Sequence, residues 1–62
     1  MPHYRFFFVK DDGMPARGTA FPFPSDARAI RFAILAAAGK RAELWSGDRK
    51  IWSHPPDGGK DN

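Results

Sequence analysis

The sequence predicts an α+β domain, a four-stranded antiparallel sheet connected ββαββ with one helix packed on one face. Three observations carry the prediction. An aromatic run, Y-R-F-F-F-V-K, is stopped by D-D-G. An alanine-rich run follows Ser25, and a G-D turn sits between E-L-W-S and R-K-I-W near the end.

The first strand spans residues 4–10. Its alternate side chains form two faces, Tyr4, Phe6, Phe8 and Arg5, Phe7, Val9, and both are greasy. Asp11-Asp12-Gly13 ends it as a turn, and residues 14–17 read as loop. T-A-F-P-F-P then alternates like a strand. Proline cannot donate to a ladder, so it belongs on an edge. Pro22 and Pro24 are two apart, which puts both missing N–H groups on one lateral side, facing solvent and blunting edge association. The alternative is an extended polyproline-like segment held by Phe21 and Phe23.

Ser25 caps a helix over residues 26–38, with Asp26 at its positive end. Alanine, leucine and arginine are good helix formers, and Gly39 is a C-terminal stop. The core stripe is expected at Ile30, Ala33, Ile34 and Ala37. Phe32 and Leu35 fall on the flank beside Arg28 and Arg31. They read either as a lip over the core or as a second patch for a partner.

Gly47-Asp48 has the composition of a two-residue hairpin turn. Counting outward pairs Leu44 with Ile51 and Glu43 with Trp52. Ala42, Leu44 and Ile51 then share the core face, while Glu43, Trp45, Lys50 and Trp52 share the other. Slipping the turn by one residue would put Arg49 in the place of Ile51, which argues for this register. Residues 1–53 form one small domain, and residues 54–62, H-P-P-D-G-G-K-D-N, read as a disordered tail.

Short antiparallel connections give the strand order 2-1-3-4, with the greasy first strand in the centre. The helix covers one face. The other collects Trp45, Trp52 and either Phe7 with Val9 or Phe6 with Phe8, more apolar surface than a soluble monomer ordinarily exposes. A chain of 62 residues buries only about 60% of its unfolded surface, so a partner would add what the core lacks.

The opening M-P-H-Y-R-F, the S-D-x-x-A-I helix start at Ser25 to Ile30 and the closing E-L-W-S-G-D-R at Glu43 to Arg49 resemble a group of short α-proteobacterial proteins. These begin M-P-x-Y and close with a W-x-G-D-R hairpin, and T-A-F-P-F-P departs from that pattern. The resemblance covers residues 1–53. It implies a small bacterial domain of unknown function and carries no functional residues with it.

Several chemistries lack their residues. There is no cysteine, and the two histidines, His3 and His54, show no metal-ligand spacing. No cofactor is expected. Ser53-His54 are adjacent but open the tail with no cavity around them, Asp11, Asp12 and Asp48 suit turns, and no glycine-rich phosphate loop occurs. So small a fold has little room for a substrate pocket, and an enzyme is not expected. No apolar run is long enough to span a membrane, and the chain is expected in the cytoplasm. The expected function is protein interaction, by homodimerisation or with an unidentified protein, through Phe7, Val9, Trp45, Trp52 and Lys50. The second patch would be Phe32 with Leu35. The alternative is single-stranded nucleic acid (RNA or DNA). Its bases would stack on Trp45, Trp52 and Phe7, with Arg5, Arg41, Arg49 and Lys50 around them. The net charge of +3 is modest for that role, and Glu43 shares the face.

Overall fold

The structure, a computed structural model, describes residues 1–56. Along the chain come β1 (His3–Phe8), β2 (Thr19–Pro22), α1 (Asp26–Ala37), β3 (Ala42–Ser46) and β4 (Arg49–His54). All strand pairs are antiparallel and the order is β2-β1-β3-β4. The helix packs against the sheet, so the ββαββ, α+β expectation holds. The strand of residues 49–54 includes His54, one residue into the stretch expected as tail. Residues 57–62 of that stretch lie outside the described residues.

β2 is an edge strand. The Phe23 N–H donates to the Pro2 carbonyl across the β1 side at 3.2 Å. Amides alternate in direction along an extended chain, so the Pro22 and Pro24 nitrogens face the free edge, where no donor is needed.

α1 is capped by Ser25, whose hydroxyl accepts from the Arg28 N–H at 3.3 Å. Tyr4, buried in the central strand, donates its phenol O–H to Asp26 at 2.7 Å and so ties the first turn to the sheet. Of the expected stripe, Ala33 and Ala37 are buried and Ile30 packs against the core, but Ile34 does not join them and Ala29 does. The buried helix residues are Ala29, Ala33 and Ala37, while Ile34 is 53% exposed. The cause is Phe32, whose ring lies 5.6 Å from Phe6, 4.7 Å from Phe21 and 5.3 Å from Phe23. Sinking a phenyl ring among three others removes more apolar area from water than sinking Ile34, and the helix turns to suit it. Phe32 is therefore the lip over the core. Leu35, 80% exposed, stands apart from it.

The core is thin. Tyr4, Phe6 and Leu44 meet four alanines, Ala29, Ala33, Ala37 and Ala42, and small side chains let helix and sheet approach closely. Half-buried Phe21, Phe23, Phe32, Ile51 and Trp52 surround them.

The hairpin also differs from expectation. Gly47 alone of the two turn residues has positive φ, 62°, as a type II′ turn requires. Ser46 opposes Arg49 and Trp45 opposes Lys50, but Leu44 opposes Trp52. Ile51 is the extra residue of a β-bulge. The bulge moves the rest of β4 by one residue without disturbing the turn. Both Ile51 and Trp52 thereby pack against the core, and Arg49 stays out of it.

A candidate binding groove on the outer sheet face

The outer face is the one the helix does not cover. Register places two rows of side chains on it. Arg5, Trp45 and Lys50 lie side by side across β1, β3 and β4. Phe7, Glu43 and Ser53 form the next row.

Trp45 is held in place at its edge. The indole Nε1–H donates to Glu43 Oε1 at 2.9 Å, and the Lys50 ammonium lies 3.8 Å from the other carboxylate oxygen. The carboxylate thus satisfies the indole N–H while Lys50 offsets its charge. Arg5, across from Trp45, makes no ion pair among the described residues.

Phe7 is half-buried because the chain covers it. The segment expected as plain loop folds back along β1. Gly13 N–H donates to Lys10 and Lys10 N–H to Met14, both at 2.9 Å, while Asp12 accepts from the Met14 N–H. Val9 leaves the strand early, bridges Pro15 and donates its N–H to Arg41 at 3.0 Å. The Ala16 N–H then donates to the Phe8 carbonyl at 2.8 Å. Gly18 then lies against Phe7, close enough that a β-carbon there would touch the Phe7 Cβ and ring at 3.4–3.5 Å.

Between this loop and the tip of the hairpin runs a half-open groove of about 400 Å³. Phe7 and Arg5 line it from β1, Pro15, Ala16 and Gly18 from the loop, and Trp45 from β3. Asp48 adds an acid at the turn end.

Of the residues expected to form one surface, Phe7, Trp45 and Lys50 share the outer face. Val9 stands just past the end of β1, where it bridges Pro15 of the covering loop. Trp52 is a correction: the bulge turns it to the helix side, opposite Leu44, where its ring stacks on His54 at 6.4 Å. Phe32 belongs to the aromatic cluster, so the second patch reduces to Leu35. Pro15, Ala16 and Gly18 were not foreseen in the site. The D-D-G turn followed by apolar M-P-A was the available sign that the chain doubles back.

Ser53 and His54 do not form a working pair. The Ser53 hydroxyl donates to the Pro55 carbonyl at 3.2 Å, while His54 opposes Ala42 on the helix side. No helix among the described residues is long and apolar enough to cross a membrane. Compared with family models, curated proteins and solved structures, the chain shows no match.

Proposed function

We propose that this chain is a non-enzymatic protein-interaction module that holds an extended segment of a partner protein in the outer-face groove. The observation that carries the reading is the groove of about 400 Å³ between Trp45 and the returning loop, with Phe7 at its floor. Its walls mix flat apolar surfaces, Phe7, Trp45 and Pro15, with Arg5 and Asp48. Such a mix suits a peptide, whose side chains need apolar seats and whose backbone and charges need polar ends. The indole is fastened by Glu43, so binding would cost little ordering of that ring.

The row Arg5, Trp45, Lys50 favours a second reading, stacking of single-stranded nucleic acid on Trp45 between two cations. Glu43 stands against it, because its carboxylate lies within the same cluster.

Selection of random displayed peptides on the full chain separates the two. The expected result is a family of enriched sequences whose binding falls at least about tenfold in Trp45→Ala and in Arg5→Ala. Enrichment indifferent to both changes would sink the reading. Quenching of Trp45 fluorescence by oligonucleotides in a Trp52→Phe background, without peptide enrichment, would establish the second instead.

A further inference from the structure

Among the described residues the two outer edges of the sheet, β2 and β4, are unlike. β2 is four residues long and turns proline nitrogens outward. β4 is six residues long, R-K-I-W-S-H, with no proline in it. An edge strand offers amide and carbonyl groups to another strand unless prolines, charges or bulges intervene, and in β4 Arg49, Lys50 and the bulge at Ile51 all lie toward the turn, away from the end at residues 52–54. Along β4 runs an open recess of about 330 Å³ lined by Lys50, Ile51, Trp52 and Ser53 in succession and by Pro56 from the segment that follows the strand. Consecutive strand residues point to opposite faces, so a hollow that touches four in a row lies along the side of the strand.

The helix presents apolar surface to the same side. Phe32 is directed toward β1 and β2. Helical spacing then sends the opposite flank, Ile30 and Ile34, toward β4. Ile34 is 53% exposed there, with nothing of the chain beyond it to cover it among the described residues.

We propose that two copies of the chain pair antiparallel through the free edges of β4, continuing the sheet across a two-fold axis and bringing the two helices side by side. Charge permits this pairing. Any antiparallel register that joins residues 51–54 to their mates carries Arg49 and Lys50 to opposite ends, away from their own copies. Spacing permits it too. α1 packs over β3 and β4 and reaches β1 as well. With strands about 4.8 Å apart, the helices would lie about 10–14 Å from each other, leaving the flank that carries Ile34 to make the contact. Ile34 would meet its mate at that seam, and Leu35, pointing up from the sheet, would stay in solvent. A second copy also suits the need: the buried core is three large side chains and four alanines, and an isologous contact doubles the gain from each apolar residue.

Light scattering on the full chain tests the pairing. The expected mass is twice that of the 6.9 kDa chain. Ile34→Glu is expected to give a folded monomer at concentrations where the parent dimerises. Leu35→Glu, a change at a more exposed site on the same helix, is expected to leave the dimer intact. If Ile34→Glu loses helicity, amide hydrogen exchange on the unaltered chain decides, since protection in β4 must rise with protein concentration. A monomer at about 1 mM, where even weak pairs form, overturns the proposal. So does a dimer that tolerates Ile34→Glu, or one that Trp45→Ala dissociates, which would place the contact in the outer groove.

Discussion

The two faces of this sheet are closed by different means. The inner face is sealed by a helix that offers alanines to the sheet and one phenylalanine to its rim. Tyr4, Phe6 and Leu44 are buried beneath it. Among the described residues the outer face has no second layer. Phe7 is covered by a returning loop whose contact residues, Pro15, Ala16 and Gly18, are small, and the remaining positions of the two rows are Arg5, Glu43, Trp45, Lys50 and Ser53. A strand that is greasy on both sides therefore needs only one packed layer if a loop can lie flat on the other. The loop covers less than a helix would, and the uncovered part is the groove. Stability should therefore reside on the inner face, which leaves the outer one open to the recognition proposed above.

The sharpest way to break that division is to empty the inner face. Leu44 is fully buried at the centre of the sheet. Leu44→Ala should cost about 3 kcal/mol from lost transfer energy and the cavity left behind, enough to unfold much of a domain this small. Trp45→Ala, on the next residue but the other face, should cost about 1 kcal/mol, since the ring is half-exposed and one hydrogen bond is lost. Chemical denaturation of the two variants measures the difference. Equal costs would mean that the outer face bears as much of the fold as the inner one.

A second pair sharpens where the inner face ends. Phe32 touches three rings, whereas Leu35, three residues on, is in solvent. Phe32→Ala is expected to lower stability by about 2–3 kcal/mol and Leu35→Ala by no more than about 0.5 kcal/mol. Thermal unfolding monitored at the helix band reads both.

These contrasts mark what was legible beforehand. Turn and cap residues announce themselves, because D-D-G, Ser25 and G-D each satisfy a local backbone need. Element order and strand order followed from them, and the prolines identified the edge. The bulge at Ile51 was not legible. Up to Lys50 the bulged and regular registers pair the same residues, and only packing of Ile51 and Trp52 against the helix decides between them. The rotation of α1 was hidden for a related reason: with alanine at so many positions, the stripe is set by where Phe32 finds its neighbours. The cover over Phe7 rests on a long-range fit between Gly18 and a ring eleven positions earlier, which no local pattern reports.

A smaller effect lies at the end of the helix, where the chain turns back to enter β3. Ala38 is left-handed, with φ 52° and ψ 42°, a conformation that strains a residue with a β-carbon. Gly39 follows at φ 80°. Ala38→Gly should remove the strain and, after the entropy glycine gives the unfolded chain, raise stability by about 0.5–1 kcal/mol. A rise in Tm of several degrees would register it in so small a domain. A fall would show that the α1 terminus is held by contacts of the Ala38 methyl.

The smallest effect at neutral pH separates the two carboxylate-fastened rings. On the outer face Glu43 holds an indole that does not titrate. On the inner face Asp26 holds the phenol of Tyr4, and its hydrogen bond, with burial and the negative charge added, raises the Tyr4 pKa above 10.0, while Arg49 lowers it somewhat. A phenol whose folded pKa is raised contributes stability that is fully present below its unfolded value near 10 and is lost as pH climbs through the folded value. Stability should thus be insensitive to this group at neutral pH and decline above about pH 10, when a phenolate forms beside Asp26 and the helix loses its tie to β1. Tyr4 is the single tyrosine in the chain, so phenolate absorbance follows this one residue. The alkaline decline should track that absorbance and flatten in Tyr4→Phe. Titration at the ordinary tyrosine pKa, with no accompanying loss of helix, would show that the Tyr4–Asp26 bond does not hold α1 to the sheet.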